Sequence, residues 1–325
     1  MNALSRKDIA ATVREELDRP APEQVVAVCK EVLRRHGAAV VGLLFYGSCL
    51  RKQRPDEGVI DVYALVRSYR ETYRSRLLAW VNAWLPPNVF YVEVPSGESV
   101  VRAKYAVVSM DDFARAARPE NLHAIIWGRF CQPALLAWTT AESVRAEIAE
   151  VAADAVMTMV VRTTALLVGE DGKGTFASED LWQRGFSETY KTELRTERRE
   201  TIASIYRAAP ERYDRILHLA LQVLQAEGAL KAEPIAERGY SVNMRPELRR
   251  RLVLGWRIRR PTAKAVYVVR LIKSAFTFGD WLPYALWKLN RHTGVRVELT
   301  ERQRRYPLIF GWPVILRLVR QRSLR

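Results

Sequence analysis

The feature of the sequence that most constrains the fold is an apolar run that ends in glycine and serine, followed by a second apolar run with one carboxylate. The first run ends at Gly47-Ser48, and the second, residues 60–66, carries Asp61. We interpret them as two strands that flank a turn. The glycine lets backbone N–H groups come close to an anion, and Ser48 adds a hydroxyl donor. Because a carboxylate in an apolar strand is costly to bury, Asp61 is predicted to be paired or to bind a metal.

A Gly-Ser turn beside a strand carboxylate is typical of the nucleotidyltransferase fold, in which the turn holds a nucleoside triphosphate and strand carboxylates hold Mg²⁺. The alternative is a plain strand–helix–strand turn, in which Ser48 caps a helix and Asp61 lies on an edge strand. The usual second carboxylate, two residues after the first, is replaced here by Tyr63. This stretch alone therefore leaves both interpretations open.

Length and charge bound the organisation of the chain. A chain of 325 residues can bury a sizeable core and favours two domains. The formal net charge of +16 lies in the last quarter, because residues 244–325 hold 20 Lys and Arg against four acids, whereas residues 1–243 hold 32 of each sign. This asymmetry predicts an anionic partner for the C-terminal part, either nucleic acid or an acidic membrane surface.

The cysteines and histidines do not suggest a metal centre. Cys29, Cys49 and Cys131 lie far apart without paired spacing, and the four histidines are equally dispersed. Neither a disulfide framework nor a zinc site is predicted, and this cysteine usage favours a reducing, cytoplasmic setting. The N-terminus lacks the apolar core of a signal peptide. No apolar run reaches the roughly 18 residues that a spanning helix needs.

Hydrophobic periodicity predicts an α+β region followed by a helical region. Strands are predicted at residues 40–45, 59–66, 89–94 and 100–108. A helical stretch is predicted over residues 120–130, and Thr139 with Glu142 forms a predicted capping box for a long, centrally buried helix. Residues 169–177 are predicted as a loop, because their Gly-Lys pair does not fit a P-loop. We place the boundary between the two regions near residues 135–140.

Two stretches place apolar side chains at helical spacing. Residues 68–84 are predicted to be helical, with an apolar face formed by Leu77, Leu78, Val81 and Leu85. The C-terminal part repeats this spacing among basic and aromatic residues, at Val266, Val269, Ile272 and Phe276. Such a composition suits an anionic membrane interface. The alternative is that these side chains pack on the helical region as ordinary core.

Two further charged positions and one charged helix can carry chemistry. Glu93 lies in an alternating apolar strand and is either a metal ligand near the nucleotide site or a strand-end residue paired with Arg or Lys. Lys104 lies in a strand otherwise suited to burial, so it either reaches the rim or points into an anionic pocket. Residues 187–200 form a helix dense in both signs, which by itself indicates a salt-bridged surface.

Four blocks of the sequence, in this order, resemble the mitochondrial-type phosphatidate cytidylyltransferase family (the translocator assembly and maintenance protein). The first block is Tyr46-Gly47-Ser48 with Ile60-Asp61, and the second is Lys104-Tyr105-Ala106-Val107-Val108. The others are residues 127–133 and 186–195, and residues 274–279 are similar to the family's basic tail. The chain departs from the family pattern at Cys49, Ala106, Trp127 and Glu193.

The resemblance implies a nucleotidyltransferase domain with a mixed sheet at residues 1–137. It also implies a mostly helical, winged-helix-like domain at residues 138–260 and a basic amphipathic, membrane-contacting tail at residues 261–325. The implied reaction transfers CMP from CTP to phosphatidic acid and gives CDP-diacylglycerol and pyrophosphate. The implied location is cytoplasmic and peripheral, at the inner face of a membrane, through an anionic lipid surface. Nucleic acid is not an expected partner.

The resemblance and the residue analysis together give one expected site in the cleft between the two domains. Catalysis is assigned to Asp61 and Glu193, and Mg²⁺ or another divalent cation to Asp61, Glu93 and Glu193. Nucleotide binding is assigned to Gly47, Ser48, Lys104, Tyr190 and Arg195. In this scheme Glu193 takes the position of a family aspartate.

Two other classes of function remain. The first is a nucleotidyltransferase that acts on RNA or a small molecule, with the basic tail on the nucleic acid. The second is a non-catalytic, membrane-associated scaffold with a degenerate nucleotidyltransferase fold, which the loss of a carboxylate at Tyr63 favours.

Overall fold

A computed structural model describes residues 5–54, 58–96, 99–121, 123–192, 199–236 and 238–277 of the chain. It contains a five-stranded mixed sheet, a three-stranded antiparallel sheet and helices that pack against both. The predicted α+β class is therefore confirmed. Most of the predicted membrane-contacting tail, residues 278–325, lies outside the described residues.

The elements follow one another from an N-terminal pair of helices to one long C-terminal helix. In chain order they are α1 (Arg6–Leu17), α2 (Glu23–His36), a 3₁₀ turn (Gly37–Ala39), β1 (Val40–Tyr46), α3 (Ser48–Lys52), β2 (Val59–Val66), α4 (Tyr69–Thr72), α5 (Arg76–Trp84), β3 (Asn88–Ser96), β4 (Ser99–Ser109), α6 (Met110–Ala117), α7 (Trp127–Phe130), β5 (Ala134–Thr139), α8 (Glu142–Leu167), β6 (Lys173–Ala177), α9 (Ser178–Thr192), α10 (Arg199–Arg207), α11 (Pro210–Ala226), β7 (Leu230–Ala236), β8 (Gly239–Met244) and α12 (Pro246–Thr277).

The large sheet has the strand order β3-β4-β2-β1-β5. Strands β2 and β4 are parallel, and the other neighbours are antiparallel. The register pairs Tyr46 with Asp61 and Asp61 with Lys104, so the end of β1 lies beside both charged residues. The four predicted strands are confirmed as β1 to β4. The edge strand β5 was not predicted, because its short apolar run is too brief to distinguish a strand from a helix by periodicity.

Helix α8 is the centre of the molecule. Residues 155–161 are all buried, as their apolar character on every side predicts. The predicted capping box at its start is wrong. Thr139 ends β5 and its hydroxyl donates to the Val41 carbonyl of β1, while Ala141 occupies the N-cap position without a side-chain cap. The sheet therefore takes the residue that the sequence pattern assigned to the helix.

Two other local predictions are corrected by tertiary or competing local contacts. Residues 169–177 are not all loop, because Lys173–Ala177 pairs with β8 as an outer strand of the small sheet, whose order is β6-β8-β7. The helix predicted over 120–130 is reduced to Trp127–Phe130. The Asn121 side chain accepts a hydrogen bond from the His123 N–H, a local turn that competes with helix formation.

One continuous core joins the two halves of the chain. Its buried side chains come from one face of the large sheet, from α1 and from the helices and strands that follow β5. A smaller core packs the opposite face of the sheet against α2. Helix α1 packs on α8 and α11, where Arg212 forms an ion pair with Glu16 at 2.8 Å and also donates to the Cys131 carbonyl. The first helix of the chain is thus tied to its second half.

Helix α12 bridges the two halves from the other side. It packs on α8 and α9 and, near its C-terminal end, on β3. There the Lys273 ammonium donates to the carbonyls of Leu85 and Pro87, the latter at 2.7 Å. The predicted domain boundary at residue 260 lies inside this helix, and the domain division stays a prediction. Among the residues that the structure describes, no helix is both long and apolar enough to cross a membrane.

Candidate functional site

The turn after β1 requires a glycine. Gly47 has φ 90° and ψ −156°, a region of backbone space that is almost restricted to glycine. A Cβ atom at this position would lie 3.2 Å from the Asp61 Oδ2 atom. The chain then enters α3, so Arg51 and Lys52 belong to a short helix that begins directly after the turn. The turn therefore brings backbone, carboxylate and two basic side chains to one end of the sheet.

Replacing Gly47 with alanine should lower the free energy of unfolding by about 1–3 kcal/mol, because the backbone is strained and the new methyl group crowds Asp61. If the turn holds the triphosphate that the sequence analysis predicts, CTP affinity should also fall about tenfold or more. Both can be measured, by urea denaturation and by titration calorimetry. Gly228→Ala is the control, because Gly228 has φ 69° but no neighbour within 4 Å of a Cβ atom. Equal loss of CTP affinity in both variants would contradict a role for the turn.

Asp61 and Lys104 form an ion pair across the parallel strands β2 and β4. The Lys104 Nζ lies 3.1 Å from the Asp61 Oδ1, and each side chain is about one quarter exposed, at 28% and 24%. Lys104 also lines a cleft at this end of the sheet, so its side chain points into a pocket, as one of its two predicted orientations requires. Since Asp61 is paired, its position in an apolar strand has a physical explanation.

A cleft of about 800 Å³ opens at this end of the sheet. It is bounded by β1, β2 and β4, by residues 123–132, and by α9, α10 and α12. Its described lining carries a single carboxylate, that of Asp61, and five basic side chains: Arg51, Lys52, Lys104, Arg129 and Arg270. Arg51 and Lys52 form no ion pair with any residue that the structure describes. This excess of positive charge favours a ligand with several negative charges.

The cleft brings together five of the predicted site residues. Its lining includes Gly47, Ser48, Asp61, Lys104 and Tyr190, the last from α9. Two others, Glu193 and Arg195, follow shortly after Tyr190 and lie outside the described residues.

Glu93 occupies a different environment. It lies opposite Arg102, two register positions along the strands from the pairing of Tyr91 with Lys104. Its carboxylate is 3.2 Å from the Arg102 Nε and accepts a hydrogen bond from the Tyr91 hydroxyl at 2.7 Å. Glu93 is not part of the cleft lining. The arrangement corresponds to the second interpretation given for this residue, a strand-end carboxylate paired with arginine, while its assignment to metal stays a prediction.

Several lining residues were not singled out from the sequence. Among them, His123 and Arg129 come from the segment before β5, Ser204 from α10, and Tyr267 and Arg270 from α12. Burial lowers the pKa of His123, and the nearby guanidinium of Arg270 lowers it further. The block at residues 127–133 was the one signal that pointed to this segment. Arg270 carried no signal, because it comes from a helix distant in sequence.

The donor set partly fits Mg²⁺. Magnesium typically binds to one or two carboxylates together with substrate phosphates and water. Asp61 supplies one carboxylate beside the anion-binding turn. Within the described part of the chain, no group of three or more His, Cys, Asp or Glu side chains could hold a metal ion. Asp61 could thus hold the ion jointly with nucleotide phosphates.

Glu188 fixes the part of α9 that faces the cleft. Its side chain is 1% exposed and pairs with Lys191 at 2.9 Å, with Arg260 of α12 at 2.8 Å and with Arg184 at 3.6 Å. Burial raises the pKa of this carboxyl, but the hydrogen bonds from Lys191 and Arg260 outweigh burial, so the pKa lies below its ordinary value of 4.5. The pairing ties α9 to α12 immediately before Thr189 and Tyr190 of the lining.

The Glu188 pairing should make stability sensitive to acid. Because the folded state lowers the pKa of Glu188, the ionised carboxylate stabilises the fold above pH 4.5, and this contribution is lost as pH falls below that value. We expect the free energy of unfolding to fall less steeply on acidification in Glu188→Gln than in the wild type, measured by denaturant titrations at several pH values. Exposed Glu247→Gln serves as the control. Identical slopes for Glu188→Gln and wild type would contradict the pairing.

Comparisons with known proteins assign no family to this chain. No protein-family model matches it, and no curated protein matches it. The function of this chain is therefore inferred from the geometry of the cleft and from the order of the four motifs along the sequence.

Proposed function

We propose that this protein is a phosphatidate cytidylyltransferase that transfers CMP from CTP to phosphatidic acid. One observation carries the proposal. A glycine turn with Asp61 against it lies at one end of a cleft whose described lining has five basic side chains and one carboxylate. A nucleoside triphosphate and a phosphate monoester together carry several negative charges, which such a lining can balance.

The strand topology supports a division of the fold into a nucleotidyltransferase domain and a winged-helix-like domain. We assign the large mixed sheet with its helices to a nucleotidyltransferase domain. The assignment is supported by the glycine turn between the antiparallel strands β1 and β2 and by β4, which runs parallel to β2. We assign α9, α10 and α11 with the sheet β6-β8-β7 to a winged-helix-like domain. In this description the cleft lies between the two domains.

The chemistry requires positioning and charge neutralisation more than proton transfer. A phosphate oxygen of phosphatidic acid attacks the α-phosphorus of CTP. The new P–O bond forms as the bond from the α-phosphorus to the bridging oxygen breaks, and pyrophosphate leaves with that electron pair. The attacking oxygen is already anionic near neutral pH, so no general base is needed.

The chain's own residues have distinct roles in this proposal. Gly47 lets the backbone approach the triphosphate, and the Ser48 hydroxyl donates to it. Lys104 neutralises phosphate charge and orients Asp61 through their ion pair. Arg51 and Lys52 extend the positive surface towards the leaving pyrophosphate. When bound at Asp61, a divalent cation would neutralise charge on the phosphates.

The assignment of phosphatidic acid rests on the resemblance and on the basic C-terminal part. Its acyl chains stay in a bilayer, so the enzyme must work at a membrane surface. We propose a peripheral, cytoplasmic location in which residues 261–325 contact anionic lipid.

The decisive experiment supplies purified protein with CTP, phosphatidic acid vesicles and Mg²⁺ and measures pyrophosphate release and CDP-diacylglycerol by mass spectrometry. We expect both products with CTP and much less with ATP, GTP or UTP. Parallel reactions replace phosphatidic acid with RNA. Transfer to RNA without a lipid product would favour the nucleic-acid enzyme. No turnover with any nucleotide would favour the non-catalytic scaffold.

A further inference from the structure

Helix α5 has its apolar side chains on the outside. Leu77, Trp80 and Trp84 are 67%, 64% and 67% exposed. The one fully buried residue of the helix is polar, Asn82. The sequence predicts Leu77 on a common apolar face with Leu78, and the structure separates them, since Leu78 is partly buried and Leu77 is exposed. This orientation is the reverse of that expected for a helix that packs its apolar face on a sheet.

Hydrogen bonds on the inner side hold the helix in this orientation. The Asn82 amide donates to the Val107 carbonyl of β4 at 3.1 Å. The Asn88 amide of β3 donates to the Leu78 carbonyl at 3.3 Å. Turning the apolar side chains inward would separate these buried amide groups from their hydrogen-bond acceptors, which costs free energy. The outward position of the tryptophans is therefore built into the contacts of α5 with the sheet.

The exposed side chains form one continuous surface, which we call the aromatic face (Leu77, Trp80 and Trp84). They follow one another at helical spacing. The two indole rings are stacked, with 6.3 Å between their centroids and an angle of 3° between their planes. Together they present on the order of 400 Å² of apolar surface, and an apolar patch of this size on a soluble protein is often functional.

The charges beside the aromatic face indicate which partner fits it. Arg70, Arg74 and Arg76 are exposed and form no ion pair with any carboxylate that the structure describes. The neighbouring acid, Glu71, lies 3.9 Å from Arg67. Tryptophan and leucine flanked by unpaired arginines are typical of segments that lie in the headgroup region of a bilayer, with cations at anionic lipid phosphates.

We propose that the aromatic face and its three arginines bind the surface of an anionic lipid bilayer. This interaction does not depend on the cytidylyltransferase activity. It involves a surface distinct from the basic C-terminal segment, and it has a consequence for the cleft. Pro87, three residues after Trp84, lines the cleft, so contact through α5 would bring that end of the cleft to the bilayer.

The first test measures binding of the full chain to vesicles of phosphatidylcholine with phosphatidylglycerol by cosedimentation. We expect Trp80→Ala/Trp84→Ala to weaken binding at least about tenfold, which corresponds to about 1.4 kcal/mol. Ile235→Ala/Leu254→Ala is the matched control, because these side chains are also exposed, at 57% and 55%, and lie on other elements. Thermal unfolding checks that both double variants fold. Binding equal to that of the wild type in the tryptophan variant would overturn the proposal.

The second test detects the contact of α5 with the bilayer directly and distinguishes it from binding through residues 261–325 alone. The native cysteines Cys29, Cys49 and Cys131 are buried, so a cysteine introduced at exposed Ala83 of α5 can be labelled with an environment-sensitive dye. We expect its emission to shift to the blue when anionic vesicles are added, but not with phosphatidylcholine alone. The same label at Lys231→Cys on β7 should not shift.

Other occupants of the face give different results. If the C-terminal segment or a second copy of the chain covers α5, the label at residue 83 is shielded before vesicles are added and does not respond to them. A second copy would also make the wild type dimeric and the tryptophan variant monomeric in light scattering. Either result overturns the proposal.

Discussion

Replacing Asp61 with asparagine should lower the rate of CMP transfer by at least about 10³-fold while the protein stays folded. Asp61 is the one carboxylate in the described lining, and its Oδ2 atom lies against the Gly47 turn. Asparagine keeps the size of the side chain but removes the negative charge that would hold a divalent cation. It also removes the ion pair that orients Lys104. The rate can be measured from pyrophosphate release at saturating CTP, with thermal unfolding as the test of folding.

Glu93→Gln is the matched control for this prediction. Glu93 lies on the same sheet and is also paired with a basic residue, Arg102, but it is outside the cleft lining. We expect its rate to stay within a few-fold of the wild type. A loss as large as that of Asp61→Asn would assign Glu93 to the metal, as the sequence analysis allows. Wild-type turnover in Asp61→Asn would contradict the proposed function itself.

Replacing Arg212 with methionine should lower the free energy of unfolding by about 3–5 kcal/mol. Arg212 of α11 and Glu16 of α1 are each 13% exposed and pair at 2.8 Å through one guanidinium nitrogen and at 3.0 Å through a second. Methionine fills a similar volume but leaves the Glu16 carboxylate buried without a partner. It also removes the donor to the Cys131 carbonyl at 2.7 Å. Urea denaturation followed by circular dichroism measures the change.

A double-mutant cycle separates the cost of the unpaired charge from the loss of packing. Arg212→Met/Glu16→Leu removes both charges, and we expect it to recover most of the lost stability, because an apolar pair can replace a buried ion pair. Arg34→Ala is the exposed control, since Arg34 is 71% exposed and pairs with Glu31 on the same helix. It should change stability by less than about 1 kcal/mol. Equal effects of Arg212→Met and Arg34→Ala would contradict a tie between α1 and α11.

The part of the site that is local in sequence could be predicted from sequence. The Gly47-Ser48 turn and the strand with Asp61 are separated by a short segment, and their strands are strongly apolar. Lys104 was recognisable because a charged residue interrupts a run suited to burial. The α+β class followed from the same strands and from the apolar centre of α8.

The remainder depends on contacts between distant parts of the chain. The strand β6 pairs with β8, about 65 residues later in the sequence, and its own glycine-containing sequence resembles a loop. Arg270 reaches the cleft because α12 returns to β3. The orientation of α5 is set by Asn82 and Asn88, whose partners lie on other elements or across a turn. Periodicity reports which side chains share a face, but not whether that face is buried.

Helix α12 gives the cleft a mechanical property. It packs on α8 and α9 at one end and on β3 at the other, and Ala263, Tyr267 and Arg270 form one wall of the cleft between these contacts. Widening the cleft by moving α12 away from β3 would break the bonds from Lys273 to Leu85 and Pro87. The carbonyls of Leu85 and Pro87 directly follow α5, so such a movement of α12 would also remove contacts at the end of the helix that carries the aromatic face. By thermodynamic reciprocity, a ligand that holds the cleft closed strengthens the attachment of α12 to β3, and any partner that loosens this attachment weakens ligand binding by the same factor.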